Sequence, residues 1–279
     1  MSASSLSLPQ HLDAALGALD KLADDGEPKL DLVGQPLVDQ LCFLGSIAWC
    51  LNDPVSGVYV VWAPPGAGKT SYVLKAVRKW RSDAPTAGVH HFKYVDTYTR
   101  ETPTNLLGEL GVTSEAELGR QLCQSGHKLC IVLDNFDSAF YDDVALRNLL
   151  VNLATVATRT KSFRVIVVLQ AADKAAQVLN WNGNVKVHLC GEEHNNAADI
   201  LKFKWEKAEV LKFLRDVDWL DEAKGPVVDA ACKSGCVTTL CRLKRNKDDL
   251  QSPDMQKKIE EDEQAWRTGV EALSSRFRV

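Results

Sequence analysis

The segment Ala63-Pro64-Pro65-Gly66-Ala67-Gly68-Lys69-Thr70 constrains this chain more than any other stretch. Gly66 and Gly68 let the backbone curl so that successive N–H groups face inward, towards an anion. Val58 to Trp62, just before it, is short, apolar and rich in β-branched and aromatic residues, which predicts a strand. Lys69 to about Trp80 reads as a helix, whose positive N-terminal end adds to the attraction for phosphate. Strand, glycine-rich loop and helix, in that order, is what a phosphate loop demands. The spacing is that of the Walker A pattern, with Ala63 where the first glycine normally stands. In that pattern Lys69 reaches the β- and γ-phosphates and the Thr70 hydroxyl holds Mg²⁺. The expected ligands are ATP and Mg²⁺, and the candidate binding residues are Pro65, Gly66, Ala67, Gly68, Lys69, Thr70 and Ser71.

A site of this kind needs a second strand that ends in a carboxylate beside the metal. Leu129-Cys130-Ile131-Val132-Leu133-Asp134 supplies it, so Thr70 and Asp134 are the candidate metal ligands. Asn135 follows, where a fast ATPase usually has a glutamate that activates water. An amide can position water but cannot take its proton at neutral pH. Asp137 is the nearby carboxylate that could substitute. Binding is therefore better supported than hydrolysis.

His91–Val95, the continuous apolar run Val165–Leu169, and Val185–Leu189 also read as strands. Helical patterns separate them, at Thr104–Leu110, Ser114–Cys123, Asp142–Ala157 and Lys174–Leu179. Ser114 and Glu117 form a capping-box pattern at the second of these. Continuous apolar strands alternating with helices indicate a parallel sheet covered on both faces. A helix from about Pro36 to Leu51 precedes the sheet, and Leu12, Leu16, Leu19 and Leu22 make an amphipathic stripe before that. After Gly191 the chain reads as helices only: Trp205–Val217, Val227–Lys233, Val237–Arg245 and Met255–Leu273. The expected organisation is an N-terminal helix (1–27), an α/β core with a five-stranded parallel sheet sandwiched by helices (28–191), a helical lid (192–250) and a C-terminal helix (251–279). That last helix could pack on the lid or on a neighbouring subunit.

With these motifs in place, the chain resembles the AAA+ ATPases and their STAND relatives, within the additional-strand P-loop NTPases, over about residues 30–245. Its phosphate loop is close to that group's Gly-Pro-Pro-Gly-x-Gly-Lys-Thr. Leu32-Val33-Gly34-Gln35 resembles the segment that packs on the adenine, which puts Val33 and Gly34 at the base. Val165–Gln170 resembles the sensor strand, which aims Gln170 at the γ-phosphate or the attacking water. Gly235–Arg245 resembles the lid helix with a basic sensor, here Arg242. The resemblance thus implies Asp134, Asn135, Asp137 and Gln170 as the catalytic set. It implies slow ATP hydrolysis coupled to lid movement, and self-assembly or remodelling of a protein partner. The nearest flavours are DNA-transposition or origin-type ATPases and STAND effectors. No arginine lies between Gln170 and Lys202, where many members place an arginine finger; Arg159 and Arg164 are weaker candidates.

The formal net charge of −4 argues against coating of nucleic acid by bulk positive charge, so DNA is a possible partner and not the favoured one. Lys75, Arg78, Lys79 and Arg81 read as a solvated helix face, as do Lys244, Arg245 and Lys247. The 8 cysteines show no paired metal spacing. No stretch is apolar enough to span a membrane, and the opening residues do not read as a signal peptide. An intracellular setting, cytoplasm or nucleus, is the expectation.

Overall fold

The computed structural model describes residues 41–52, 57–84, 89–97, 106–137, 144–180, 187–189, 204–216, 225–245 and 250–274. The expected N-terminal amphipathic helix and the Val33-Gly34 segment lie outside the described residues.

Five strands form one sheet: β1 (Val58–Trp62), β2 (His90–Asp96), β3 (Lys128–Asp134), β4 (Phe163–Leu169) and β5 (Val187–Leu189). Their order is β2-β3-β4-β1-β5, and every neighbouring pair is parallel. The central strands β1 and β4 are buried along their whole length, as continuous apolar runs require between two helical layers. The helices before and between the strands are α1 (Leu41–Asn52), α2 (Lys69–Ser82), α3 (Leu106–Glu109), α4 (Glu115–Ser125), α5 (Val144–Arg159) and α6 (Ala172–Leu179). Among the described residues four helices follow the sheet: α7 (Lys207–Asp216), α8 (Gly225–Ser234), α9 (Val237–Arg245) and α10 (Pro253–Ser274). The sheet order, with β4 between the loop strand and the acidic strand, is that of an additional-strand P-loop NTPase. The expected fold class stands.

α3 is described over Leu106–Glu109, and the chain closes after it at Gly111 (φ 66°), where Val112 N–H donates to the Leu107 carbonyl. One element differs from expectation in detail. At α4 the Ser114 hydroxyl caps Glu117 N–H as expected, but the Glu117 carboxylate reaches one residue further back, to Thr113 N–H and Oγ.

The register decides where the chemistry can sit. Trp62 lies opposite Leu169, and Asp96 lies opposite Asp134. All the loops that follow the strands therefore emerge on one edge. From β1 the chain goes out to β2; from β4 it crosses to β5, on the other side of β1. A switch of direction of this sort opens a crevice at the carboxyl ends of the strands.

The C-terminal helix closes over that edge. Gly269 of α10 lies against the Trp62 ring, where a β-carbon would come within 1.9 Å of a ring atom. One turn earlier, Trp266 meets Trp62 edge-on at 5.6 Å and donates its indole N–H to the Ser234 carbonyl. Within its own chain α10 packs on α8, on α6 and on the end of β1.

Candidate functional site

The phosphate loop leaves β1 at Ala63 and enters α2 at Lys69. Gly66 (φ 81°) and Gly68 (φ 89°) take left-handed conformations that side chains resist. Gly68 is the N-cap of α2 and offers no side-chain oxygen, so no protein side chain caps the helix's leading N–H groups. They are left to an anion. Lys69 is buried, and its Nζ donates to the carbonyls of Ala63 (2.7 Å) and Pro64 (2.9 Å). Burial lowers its pKa to about 8, although the Asp134 and Asp137 carboxylates pull the other way.

Asp134 ends β3 beside this loop. Thr70 Oγ donates to Asp134 Oδ2 at 2.7 Å, and Tyr94 donates its phenol O–H to the same oxygen at 2.9 Å. Burial, followed by the Asp134 charge, pushes the Tyr94 phenol upward, so it stays a donor. The Asn135 N–H donates to the other carboxylate oxygen. A threonine hydroxyl and a buried carboxylate in direct contact form a hard-oxygen pair of the kind Mg²⁺ takes, so the residues fit the metal.

Asn135 has φ 54°, a left-handed backbone that asparagine tolerates better than most residues. Its side-chain amide N–H donates to Asp96 Oδ1, and its carbonyl accepts from the Gln170 amide, both at 3.0 Å. The Asp96 carboxylate fixes which way the amide points. Three strand ends are thereby linked in a row: β2 through Asp96, β3 through Asn135 and β4 through Gln170. The Asp137 carboxylate accepts from the backbone N–H groups of Gln170 (2.8 Å) and Ala171 (2.7 Å), which ties it to the bend before α6 while its charge still reaches Lys69.

A cavity of about 210 Å³ sits over the loop, lined by Gly66, Gly68, Lys69, Thr70 and Ser71, by Gln170, and by Val237 and Thr238 of α9. It is smaller than the roughly 300 Å³ at which small-molecule pockets begin, which suits phosphates rather than a whole nucleotide. Of the other binding residues expected, Ala67 is buried within the loop, and Pro65 is exposed at its crest. Arg242 is exposed and follows Thr238 by four residues, which puts it on the same face of α9, one turn further from the loop. Arg164 is no candidate for a finger. It is buried at the start of β4, with its guanidinium on the Cys50 and Lys161 carbonyls, at the opposite end of the sheet. Arg159, at the end of α5, lies at that far end too. Among the described residues no group of three or more His, Cys, Asp or Glu is placed to hold a metal, and no helix is long and apolar enough to cross a membrane.

Sequence reading missed Tyr94, Asp96, Thr97 and Thr238. Asp96 carried a usable signal, since it ends a strand candidate just as Asp134 does. Thr97 donates its hydroxyl to the Asp134 and Asn135 carbonyls, which helps hold the bend after β3.

No protein-family model matches the chain, and no curated protein matches it. Solved structures do show likeness. The Walker-type ATPase of Pyrococcus abyssi is 13% identical over 86% of this chain and 76% of its own, with a TM-score of 0.47. Cdc6p of Pyrobaculum aerophilum is 14% identical over 90% of this chain and 71% of its own, with a TM-score of 0.45. The Aeropyrum pernix Orc1 protein in complex with DNA is 14% identical over 87% of this chain and 68% of its own, with a TM-score of 0.49. At such identities, and with TM-scores below 0.5, these structures assign this chain no activity and no partner.

Proposed function

We propose that this chain is an AAA+-type P-loop ATPase that binds ATP with Mg²⁺ and turns it over slowly. One observation carries the reading: the Thr70 hydroxyl and the Asp134 carboxylate meet at 2.7 Å beside a loop whose helix end is uncapped. Thr70 and Asp134 would hold Mg²⁺, which when bound neutralises charge on the β- and γ-phosphates. The amides from Gly66 to Ser71 cradle the phosphates. Lys69 releases the Ala63 and Pro64 carbonyls and turns to the β- and γ-oxygens. Gln170 lines the cavity and orients water together with Asn135. Arg242 approaches from α9, and Val33 and Gly34 border the base. The lid helices transmit the nucleotide state to a neighbouring copy or a protein client, in an intracellular compartment.

Hydrolysis is slow on this reading because the group next to Asp134 is an amide, and because Asp137 is tied to the bend before α6. A nucleotide-gated scaffold with little hydrolysis is the second reading, and Asn135 favours it. Titration with a fluorescent ATP analogue tests the first. Lys69→Ala should weaken binding on the order of a hundredfold, about 3 kcal/mol for a buried charge on phosphate. Unchanged affinity would defeat the reading. Single-turnover hydrolysis then separates slow enzyme from scaffold. DNA binding stays the lesser alternative; ATP-dependent, salt-sensitive retention of duplex DNA would establish it.

A further inference from the structure

A loop that aims its N–H groups inward must turn its carbonyls outward, and those carbonyls need donors. Here each one from Ala63 to Gly66 has one. Ala63 and Pro64 take the Lys69 ammonium, and Pro64 also takes Ala67 N–H. The other two donors come from the far end of the chain. Gly66 accepts Thr238 N–H at 3.2 Å, and Pro65 accepts the Cys236 thiol at 3.7 Å. Burial and the nearby Asp262 charge push that thiol up to about 12, so it keeps its proton to donate.

The turn that carries these donors, Ser234 to Thr239, is held by a buried carboxylate. Asp262 is 3% exposed, in the middle of α10. Its Oδ2 accepts from Ser234 Oγ (2.5 Å), at the end of α8, and from Thr239 Oγ (2.6 Å), in the first turn of α9. Its Oδ1 takes the Lys258 ammonium. Ser234 Oγ in turn accepts Cys236 N–H, and the Ser234 carbonyl accepts the Trp266 indole. One carboxylate thus ties three helices together at the point where the lid touches the phosphate loop.

We propose that Asp262 is a positioning residue for the phosphate loop: through the Ser234–Thr239 turn it holds the donors that keep the loop's carbonyls turned out, and it thereby sets affinity for phosphate-bearing nucleotides. This rests on the ATP-binding reading above. The alternative is a staple that stabilises the lid and leaves the loop alone.

Two measurements on the full chain separate these. The first is amide hydrogen exchange of residues 63–71 without nucleotide, which reads the prop directly. The second is affinity for fluorescent ATP and ADP analogues. Asp262→Asn keeps the shape and loses the charge. It should speed loop exchange, leave β3 and β4 exchange unchanged, and weaken ATP and ADP alike by about tenfold, the loss of one or two charge-assisted bonds. Wild-type loop exchange and wild-type affinity in a variant with a lowered melting temperature would overturn the proposal and leave a staple. If Asp262→Asn does not fold, Thr239→Val removes one of the bonds at constant volume and should weaken binding by roughly threefold; wild-type affinity there overturns the proposal as well. Wild-type protein that binds no nucleotide sinks the ATP reading, and the affinity half of this proposal with it. Loop exchange unmoved by Asp262→Asn sinks the proposal alone.

Discussion

The phosphate loop and the turn that leans on it are built in opposite ways. The loop is local. Its two left-handed glycines, its lysine and its threonine lie within five residues, between a strand and a helix that are already committed by their own sequences. The turn from Ser234 to Thr239 is assembled from afar. Its carboxylate comes from residue 262, its indole from residue 266 and its contact surface from residues 65 and 66. Contiguous geometry announces itself in a sequence, whereas geometry made of long-range polar bonds does not.

That contrast can be broken or sharpened experimentally. The largest effect should come where the two regions touch. Gly66→Ala forces a side chain into φ 81° and brings its β-carbon within 2.2 Å of Thr238 Oγ. It should cost roughly 2–4 kcal/mol in urea unfolding, from left-handed strain and overpacking together. Thr238→Ala removes the clashing oxygen, so the double variant should recover about 1 kcal/mol of that loss. Strict additivity would mean that the lid does not press on the loop.

Next in size is Gly269→Ala, which pushes α10 off Trp62. A loss of about 1–3 kcal/mol in the same unfolding assay is expected. A variant as stable as wild type would show that α10 is dispensable for the core.

The pH response comes third. Lys69 must be charged to hold phosphate, and its pKa in the free protein is about 8. Bound phosphate favours the ammonium and raises that value. ATP affinity should therefore be flat below about pH 7 and fall above pH 8, by up to roughly tenfold per unit, with Lys69→Ala abolishing the slope. The same lowering affects folding. Between about 8 and the ordinary lysine value of 10.5 the unfolded chain holds a proton that the folded chain does not. Lys69 thus adds stability as pH rises through that window. Opposite slopes for binding and for folding are the signature to look for. The smallest effect is Ser114→Ala, which removes the α4 cap at about 1 kcal/mol and should leave nucleotide affinity untouched.

What could be read in advance follows the same division. Lys69, Thr70 and Asp134 stood out because each follows an apolar strand at a spacing that phosphate chemistry dictates. Strands β1, β3 and β4 stood out because burial on both faces leaves continuous apolar runs, whereas β2 and β5 carry polar residues such as Lys93 and His188. The bonds that hold Asp137 could not be foreseen, because its partners are the amides of residues 170 and 171, which no local pattern reveals. Asp262 was passed over although its spacing puts it on the stripe of Ile259, Trp266 and Leu273, and the hydroxyls of Ser234 and Thr239 show what holds it there. Gln170 was placed correctly at its strand end, but its bond to Asn135 could not be foreseen.

The backbone at Asn135 bears on how this protein could become a faster enzyme. Residue 135 sits at φ 54°, and its amide nitrogen rests against Asp96. A glutamate there would face a stereochemical toll of roughly 1–2 kcal/mol and an adjacent carboxylate of like charge. The remedy is then a joint change: Asp96 neutralised first, and the bend after β3 relaxed with it. On the proposed reading, a single-residue graft of glutamate would meet both costs at once.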